Sequence, residues 1–366
     1  MPADRDIPAA VIDVGWVNGL AAIRSLGRAG VRVLALDHRP GALGFRSRYA
    51  EAFLCPDPAQ DESRFIAFLR ALGRVVVVPT HDEGLNAVAR HLGGLDVLAP
   101  FPDWTLLEQV QDKRTQLERA QSAGVDVPQT RYPGSAQEAR AAAQEIGLPV
   151  LVKPAHPVGF KQRFRRQAFR CETLGETEDA YARAEEFAPM VQELVPGGDD
   201  ALYTVGSYLD REGRALGVFS GRKLQQTPPG IGTCRVGEAV WEPEAVDAAL
   251  ALLRAFGYTG ISQVELKLDP RDRKFKLMEI NPRLWQWHGL AAACGVDVAR
   301  IAYDDLVGGA PGEARMDGHR RHWAITLLPG ERPAPQRPPY VEAVFARDDP
   351  KPGLVHLARV VRSVLS

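Results

Sequence analysis

The chain has 366 residues, of which 45% are hydrophobic and 25% are charged, and its formal net charge is −1. This composition predicts a folded globular protein of two or three domains without long disordered stretches. The near-neutral charge excludes the electrostatic attraction that would make nucleic acid or an anionic membrane the main partner.

No apolar run approaches the roughly 18 residues that a membrane span needs. The first residues do not have the pattern of a signal peptide, so we expect a cytoplasmic protein. The cysteines are widely separated and form no C-x-x-C pair, which argues against a disulfide framework or a structural zinc site. We predict small, partly buried apolar side chains for Cys55, Cys171, Cys234 and Cys294.

Residues 7–105 alternate between short apolar runs and helical patterns. Strands are predicted at 9–14, 31–37 and 74–79, and helices at 20–29 and 84–92. Strands separated by helices of this length indicate a parallel sheet, which binds ligands at the carboxyl ends of its strands. Gly15 and Gly19 do not have the G-x-G-x-x-G spacing of a dinucleotide site. The favoured alternative is the polar end of a substrate on a helix amino terminus, near Gly19 or at 82–84.

The rest of the chain mixes helices and strands. Helices are predicted at 104–123, 136–146, 243–256 and 354–365. A strand is predicted at 149–153, and from Met190 onward the sequence becomes rich in strands. The proline-rich stretch 329–339 is typical of a linker or an extended strap.

The most informative segment is a predicted hairpin over 261–281. Both arms alternate between polar and apolar residues around a turn rich in aspartate. The pairing that follows places Glu265 opposite Glu279 on one face and Leu266 opposite Met278 on the other.

Asn281 lies on the same face of this hairpin as Glu279, because it is two residues further along the strand. Two carboxylates and a carboxamide are oxygen ligands of the kind that Mg²⁺ uses in nucleotide sites. The alternative is a solvent-exposed charged face on which Lys267 pairs with a glutamate.

Five short motifs occur in a fixed order over roughly residues 105–310. They are Gln111-Asp-Lys113, Val150-Leu-Val-Lys-Pro154, Gln192-Glu-Leu-Val-Pro-Gly197, Gln263-Val-Glu-Leu266 and Met278-Glu-Ile-Asn-Pro-Arg283. In this order they resemble the motifs of the ATP-grasp superfamily. The resemblance implies an α/β and α+β fold: a Rossmann-like domain over 1–104, an ATP-grasp module over 105–328 and a C-terminal strap with a short helix over 329–366. The module would divide into subdomains over about 105–189 and 190–328.

The resemblance also implies how ATP is held between the two subdomains. Lys113 and Lys153 would contact the phosphates, although Lys113 could also be an exposed helix charge. Glu193 and the backbone near Leu194 would meet the edge of the adenine.

The ribose hydroxyls would be bound by Asp200, with Asp199 as the competing choice; both could also be simple loop acids. The resemblance assigns Mg²⁺ (or Mn²⁺) to Glu265, Glu279 and Asn281. Arg283 would steady the transferred phosphate or a substrate carboxylate, because its planar fork suits an oxyanion.

Segment 220–237 resembles the carboxylate–amine ligase branch of the superfamily, which includes D-aspartate ligase-like enzymes. Arg222, Lys223 and Arg235 flank a loop rich in proline and glycine that could close over an acyl phosphate. The alternative for this segment is an ordinary surface hairpin.

Two features depart from the family pattern. The loop at 156–166 has one glycine and four basic residues, which could grip phosphate or form a basic surface. Trp285 and Trp287 could line a substrate pocket but are more often core residues. For His288 a structural role is favoured over a catalytic one.

The function that the resemblance implies is ATP-dependent ligation of a small-molecule carboxylate to an amine, such as an amino acid. Other ATP-grasp chemistry, namely a carboxylase or a small-molecule kinase, ranks second, and a non-catalytic nucleotide sensor is the rival from another class. Neither nucleic acid nor a membrane is expected as a partner. A homodimer is the commonest assembly for soluble enzymes.

Overall fold

The computed structural model describes residues 4–155, 159–230, 232–329 and 340–365. The predicted strap at 329–339 therefore lies almost entirely outside the described residues. Across these ranges, no helix has both the length and the apolar character needed to cross a bilayer. All four cysteines are unpaired, as predicted, and all four are buried.

The N-terminal part of the chain forms a five-stranded parallel sheet. Its strands are β1 (Ala9–Ile12), β2 (Val33–Asp37), β3 (Glu51–Leu54), β4 (Val75–Pro79) and β5 (Val97–Leu98), and its helices are α1 (Val17–Arg28), α2 (Glu62–Leu72) and α3 (Asp82–Arg90). The strand order β3-β2-β1-β4-β5 confirms the predicted parallel sheet. The order reverses between β1 and β4, and sheets of this kind bind ligands beside such a reversal.

The prediction of a single long helix over 104–123 is wrong, because the structure has two helices there. These are α4 (Trp104–Gln111) and α5 (Lys113–Ser122). Asp112 separates them and caps α5, since its carboxylate accepts a hydrogen bond from the Thr115 N–H at 2.7 Å. The apolar pattern continues on both sides of the break, so periodicity alone does not reveal it. The break makes Lys113 the first residue of α5.

A small antiparallel sheet follows. Its strands are β6 (Thr130–Arg131), β7 (Val150–Pro154), β8 (Phe169–Cys171) and β9 (Pro189–Glu193), and its helices are α6 (Ala136–Ile146), α7 (Phe160–Phe164) and α8 (Leu174–Ala184). The order is β6-β9-β7-β8, which places β7 and β9 side by side. The chain passes from this sheet to the next one after β9.

The last sheet is larger and mostly antiparallel, in the order β14-β13-β10-β11-β12-β15-β16. Its strands are β10 (Leu202–Leu209), β11 (Ala215–Thr227), β12 (Thr233–Ala239), β13 (Gly260–Leu268), β14 (Phe275–Asn281), β15 (His322–Ala324) and β16 (Tyr340–Glu342). The associated helices are α9 (Pro243–Phe256), α10 (His288–Ala293), α11 (Val298–Leu306) and α12 (Pro350–Leu365). Helix α9 packs with one face of the sheet in a hydrophobic core.

Trp285 and Trp287 connect this sheet to the N-terminal part of the molecule. Both side chains are fully buried in a core that also contains residues of α1, α10 and α11. The Trp285 ring lies over Gly206 and the Trp287 ring over Gly237, where any larger side chain would collide with it. The tryptophans are therefore core residues.

Candidate active site between the two antiparallel sheets

The predicted hairpin forms from β13 and β14 and has the expected register at its carboxylates. Glu265 lies opposite Glu279, and Gln263 lies opposite Asn281. The predicted pairing of Leu266 with Met278 is wrong, because the register shifts after Glu265 and Leu266 pairs with Leu277. Such a bulge inserts one extra residue, which a symmetric count from the turn cannot detect.

A cleft of about 140 Å³ lies between the small and large antiparallel sheets. Many of the predicted site residues line it, although they come from four different parts of the chain. They are Lys113, Lys153, Glu193, Leu194, Lys223, Glu265 and Glu279. The structure thus gathers in one place the residues that the motifs assigned to phosphate, adenine and metal.

Two lysine–glutamate ion pairs line the cleft. Lys223 Nζ lies 2.8 Å from Glu265 Oε1, and Lys113 Nζ lies 3.3 Å from Glu279 Oε1. Burial opposes the charge on Glu279, but the ammonium groups of Lys113 and Lys153 lower the pKa of this carboxyl. Burial likewise opposes the charge on Lys223, yet Glu265 raises the pKa of this ammonium. Each of these two shifts favours the charged form of its group.

Lys153 lies on β7, next to these pairs. Burial and the neighbouring Lys113 charge lower its pKa to about 7, although Glu279 acts in the opposite direction. In the described part of the chain Lys153 forms no ion pair. An ammonium held in this way favours an anionic ligand such as phosphate.

The donor atoms around Glu279 fit a hard cation. Asn281 lies two residues beyond Glu279 on β14, opposite Gln263, and its Oδ1 accepts a long hydrogen bond, 3.4 Å, from Arg283 Nη2. Within the described ranges no three His, Cys, Asp or Glu side chains come together as a metal site. The protein therefore offers two carboxylates and one carboxamide, and phosphate and water oxygens would complete a Mg²⁺ shell.

The Glu193 carboxylate has partners other than those expected for an adenine contact. It accepts hydrogen bonds from the Gln129 N–H at 3.0 Å, from Lys276 Nζ at 3.1 Å and from Arg271 Nη2 at 2.8 Å. These contacts lower the pKa of the carboxyl even though burial opposes its charge. The side chain thus ties β9 to the hairpin. The Leu194 N–H donates to the Pro149 carbonyl at 3.3 Å, and the adenine contact assigned to the backbone near Leu194 stays a prediction.

Lys267 does not pair with a glutamate. Its Nζ donates to the Val195 carbonyl at 2.9 Å and so holds the strand that follows β9. Nothing in the sequence pattern indicated this contact, because it joins residues 72 positions apart.

The two candidate ribose acids have different surroundings. Asp199 accepts hydrogen bonds from the Gln226 N–H at 2.8 Å and the Gly230 N–H at 3.0 Å, so it fastens the end of β11. Asp200 is exposed beside it. The assignment of Asp200 to the ribose stays a prediction.

Two of the predicted basic residues do not line the cleft. Arg222 pairs with Glu238, Nε to Oε2 at 2.9 Å, as do Arg320 and His322 through Oε1. Neighbouring side chains on a strand point to opposite faces, so Arg222 lies on the face away from Lys223. Its predicted catalytic role is corrected to a structural one. Arg235 is buried in β12.

Arg283 makes a contact that sequence reasoning missed. Its Nε lies 2.6 Å from Asp82 Oδ1 and its Nη2 lies 3.2 Å from Asp82 Oδ2. Asp82 is the first residue of α3, at the carboxyl edge of the N-terminal sheet. Position 82 did stand out in the sequence as a helix amino terminus, but the expected ligand there was a substrate.

His288 and the described part of the basic loop make contacts within the protein. His288 is buried and its Nε2 lies 3.0 Å from the Asn18 carbonyl oxygen, and burial lowers the pKa of the imidazole. Arg163 pairs with Glu186, and the Arg166 guanidinium lies 5.4 Å from the centre of the Phe169 ring. Residues 156–158 of the loop lie outside the described residues.

Comparison with known proteins finds sequences that match parts of this chain. The model of the ATP-binding domain of the carbamoyl-phosphate synthase L chain matches residues 243–305. A D-aspartate ligase of Enterococcus faecium is 26% identical over 226 residues, which is 58% of this chain and 54% of that protein. The N-terminal section of a carbamoyl phosphate synthase large chain of Methanopyrus kandleri is 25% identical over 80% of this chain and 53% of its own length.

Solved structures share the fold. Biotin carboxylase of Campylobacter jejuni superposes with a TM-score of 0.69 at 20% identity, covering 87% of this chain and 75% of its own. An L-amino acid ligase of Bacillus licheniformis gives 0.64 at 16% identity, with 86% and 78% covered.

The chain is therefore similar in sequence to D-aspartate ligase and in fold to biotin carboxylase and the L-amino acid ligase, which are ATP-grasp enzymes. It spans about half the length of the first two curated relatives that it matches.

Proposed function

We propose that the protein is an ATP-dependent ligase that joins a small-molecule carboxylate to an amine through an acyl phosphate. The observation that carries this proposal is the convergence of Lys113, Lys153, Glu265 and Glu279 in one cleft. The similarity to D-aspartate ligase and the fold shared with an L-amino acid ligase support the class of reaction.

Charged side chains and the backbone of one strand bind the nucleotide in the cleft. Lys113 and Lys153 meet the phosphates, and the backbone at Leu194 meets the adenine. Glu265, Glu279 and Asn281 hold Mg²⁺, which neutralises phosphate charge when it is bound. Lys113 and Lys223 would then exchange part of their pairing with the glutamates for contacts with bound ligands.

The reaction has two steps. A carboxylate oxygen of the first substrate attacks the γ-phosphorus of ATP, and ADP leaves. The amine nitrogen then attacks the acyl carbon, phosphate leaves, and an amide remains. The protein positions the groups and neutralises charge, and it needs no side-chain nucleophile. Arg283 steadies the transferred phosphoryl group.

The test measures phosphate release from Mg·ATP over a grid of carboxylic acids and amines. Release should require one acid and one amine together. Glu279→Gln should reduce it at least a hundredfold, because the substitution removes a ligand carboxylate and the partner of Lys113.

Glu212→Gln is the matched control, because this exposed carboxylate lies in the turn between β10 and β11, away from the cleft. Its rate should equal that of the wild type. Release with an acid alone would indicate a kinase, and ATP binding without any release would indicate a sensor. Failure to bind ATP would remove the proposal altogether.

A further inference from the structure

The Asp82–Arg283 ion pair joins the strand of the proposed metal ligands to the N-terminal sheet, and the proposed reaction does not use it. Arg283 follows the metal strand β14, whereas Asp82 begins α3 in the N-terminal sheet. The two hydrogen bonds, 2.6 and 3.2 Å long, join one edge of the guanidinium to both carboxylate oxygens. A bidentate pair of this kind fixes the plane of the guanidinium as well as its position.

The other bonds of Arg283 are weaker. Its Nη2 reaches Asn281 Oδ1 at 3.4 Å and its Nη1 reaches the Leu284 carbonyl oxygen at 3.5 Å. Such long contacts do little to fix the orientation of a side chain. Asp82 therefore sets the orientation of the guanidinium, and the Nη2 that it holds also faces Asn281 Oδ1.

The electrostatics place this pair beside the reaction centre. Asp82 raises the pKa of the Arg283 guanidinium although burial opposes its charge, and Glu279 acts in the same direction. The Glu279 carboxyl in turn responds to both Asp82 and Arg283. These three groups belong to one charged cluster that spans the two parts of the molecule.

We propose that Asp82 is a positioning residue that aims Arg283 at the phosphoryl group during its transfer. The N-terminal sheet thereby takes part in the chemical step, although none of the five motifs lies within it. This inference rests on the proposed function, since the group that Arg283 steadies is the phosphoryl group of ATP.

The test uses MgADP with and without orthovanadate, which in the nucleotide site mimics a phosphoryl group in transfer. Calorimetry should show that vanadate tightens MgADP binding to the wild-type protein. Asp82→Asn should leave the affinity for MgADP alone within twofold and reduce the vanadate-dependent gain about tenfold. A purely structural role would weaken both affinities together.

Three further variants sharpen the test. Asp82→Glu keeps a carboxylate and should restore part of the gain. In an Arg283→Lys background, Asp82→Asn should cause no further loss, because the group that it orients is absent. Glu83→Gln is the matched control, since this exposed neighbour on α3 has no hydrogen bond to Arg283; the gain should be unchanged.

The outcomes separate the two proposals. An equal vanadate gain in the wild type and in Asp82→Asn overturns the positioning role, as do additive losses in the Arg283→Lys background. A wild-type protein that binds MgADP but gains nothing from vanadate also overturns it. A wild-type protein that does not bind MgADP overturns the proposed function itself. Urea unfolding checks that each variant is folded, and Asp82→Glu carries the comparison if Asp82→Asn is not.

Discussion

Enclosed carboxylates occur in two regions of this molecule, and their partners differ. In the cleft, Glu265 and Glu279 each face a lysine ammonium, at 2.8 and 3.3 Å. At the carboxyl edge of the N-terminal sheet, Asp13 is buried in a left-handed conformation with φ of 65°, and its Oδ2 has no hydrogen-bond partner among the described residues. Burial opposes ionisation in both places, so the partner decides the charge.

The pKa values express this difference. The lysines lower the pKa of Glu279, whereas burial, Asp37 and Glu83 raise the pKa of Asp13 to about 7 against a weaker opposing effect of Arg39. The cleft therefore favours the ionised form of Glu279, while the sheet edge holds a carboxyl that gains a proton near neutral pH. Three predictions test this contrast, and the largest effect is expected in the cleft.

Removing the ammonium that faces Glu265 should make the cleft resemble the sheet edge. Lys223→Met leaves the carboxylate enclosed without its partner, and breaking a buried pair in this way costs about 3 kcal/mol of the free energy of unfolding. Urea unfolding at pH 7 measures the loss.

Lys274→Met is the control for this experiment, because Lys274 pairs with Asp126 on the surface of the hairpin turn. An exposed pair contributes little, so the change should stay within about 0.5 kcal/mol. Equal losses for both lysine variants would show that burying an ion pair in the cleft does not increase the cost of breaking it.

Asp13 should make the fold less stable as the pH rises. Its folded pKa, about 7, lies above the ordinary value of 3.8, so the folded state binds more protons between these limits and loses stability from pH 4 to pH 7. Asp13→Asn removes this titration. Its effect on the free energy of unfolding should be about 2–3 kcal/mol more favourable at pH 8 than at pH 5.

Asp96→Asn provides the comparison for Asp13, because Asp96 is exposed and precedes β5 at the opposite edge of the same sheet. The change there should alter the free energy of unfolding by no more than about 0.5 kcal/mol, since a surface substitution usually has a small effect. An effect of Asp13→Asn that is the same at pH 5 and pH 8 would contradict the raised pKa of Asp13.

The sequence predicts the parts of this molecule that depend on local pattern. Short apolar runs predict β1 and β4, alternation predicts the hairpin, and helical spacing predicts α6 and α9 with their exact ends. The opposition of Glu265 and Glu279 follows from strand geometry alone, because a two-residue period leaves few registers that bury the apolar face.

What the sequence misses depends on contacts between distant residues. The shift after Glu265 and the bond from Lys267 to the Val195 carbonyl leave no trace in residue spacing. Arg222 looked equivalent to Lys223, yet adjacent positions on a strand face opposite ways, and only the sheet's surroundings show which face is the cleft. The contact between Asp82 and Arg283 follows only from the fold, which places α3 beside the residue after β14.

The smallest effect concerns the cap that places Lys113 in the cleft. Asp112→Ala removes the bond to the Thr115 N–H and should cost about 1 kcal/mol. Because Lys113 is the first residue of α5, fraying of this end should also weaken its pairing with Glu279 and reduce the affinity for Mg·ATP severalfold. Ser135→Ala removes the cap of α6, whose side chain accepts from the Glu138 N–H at 3.2 Å, away from the cleft. Ser135→Ala should lower the free energy of unfolding by a similar amount and leave the affinity for Mg·ATP, measured by calorimetry, unchanged. If both variants reduce that affinity equally, the position of Lys113 does not depend on where α5 begins.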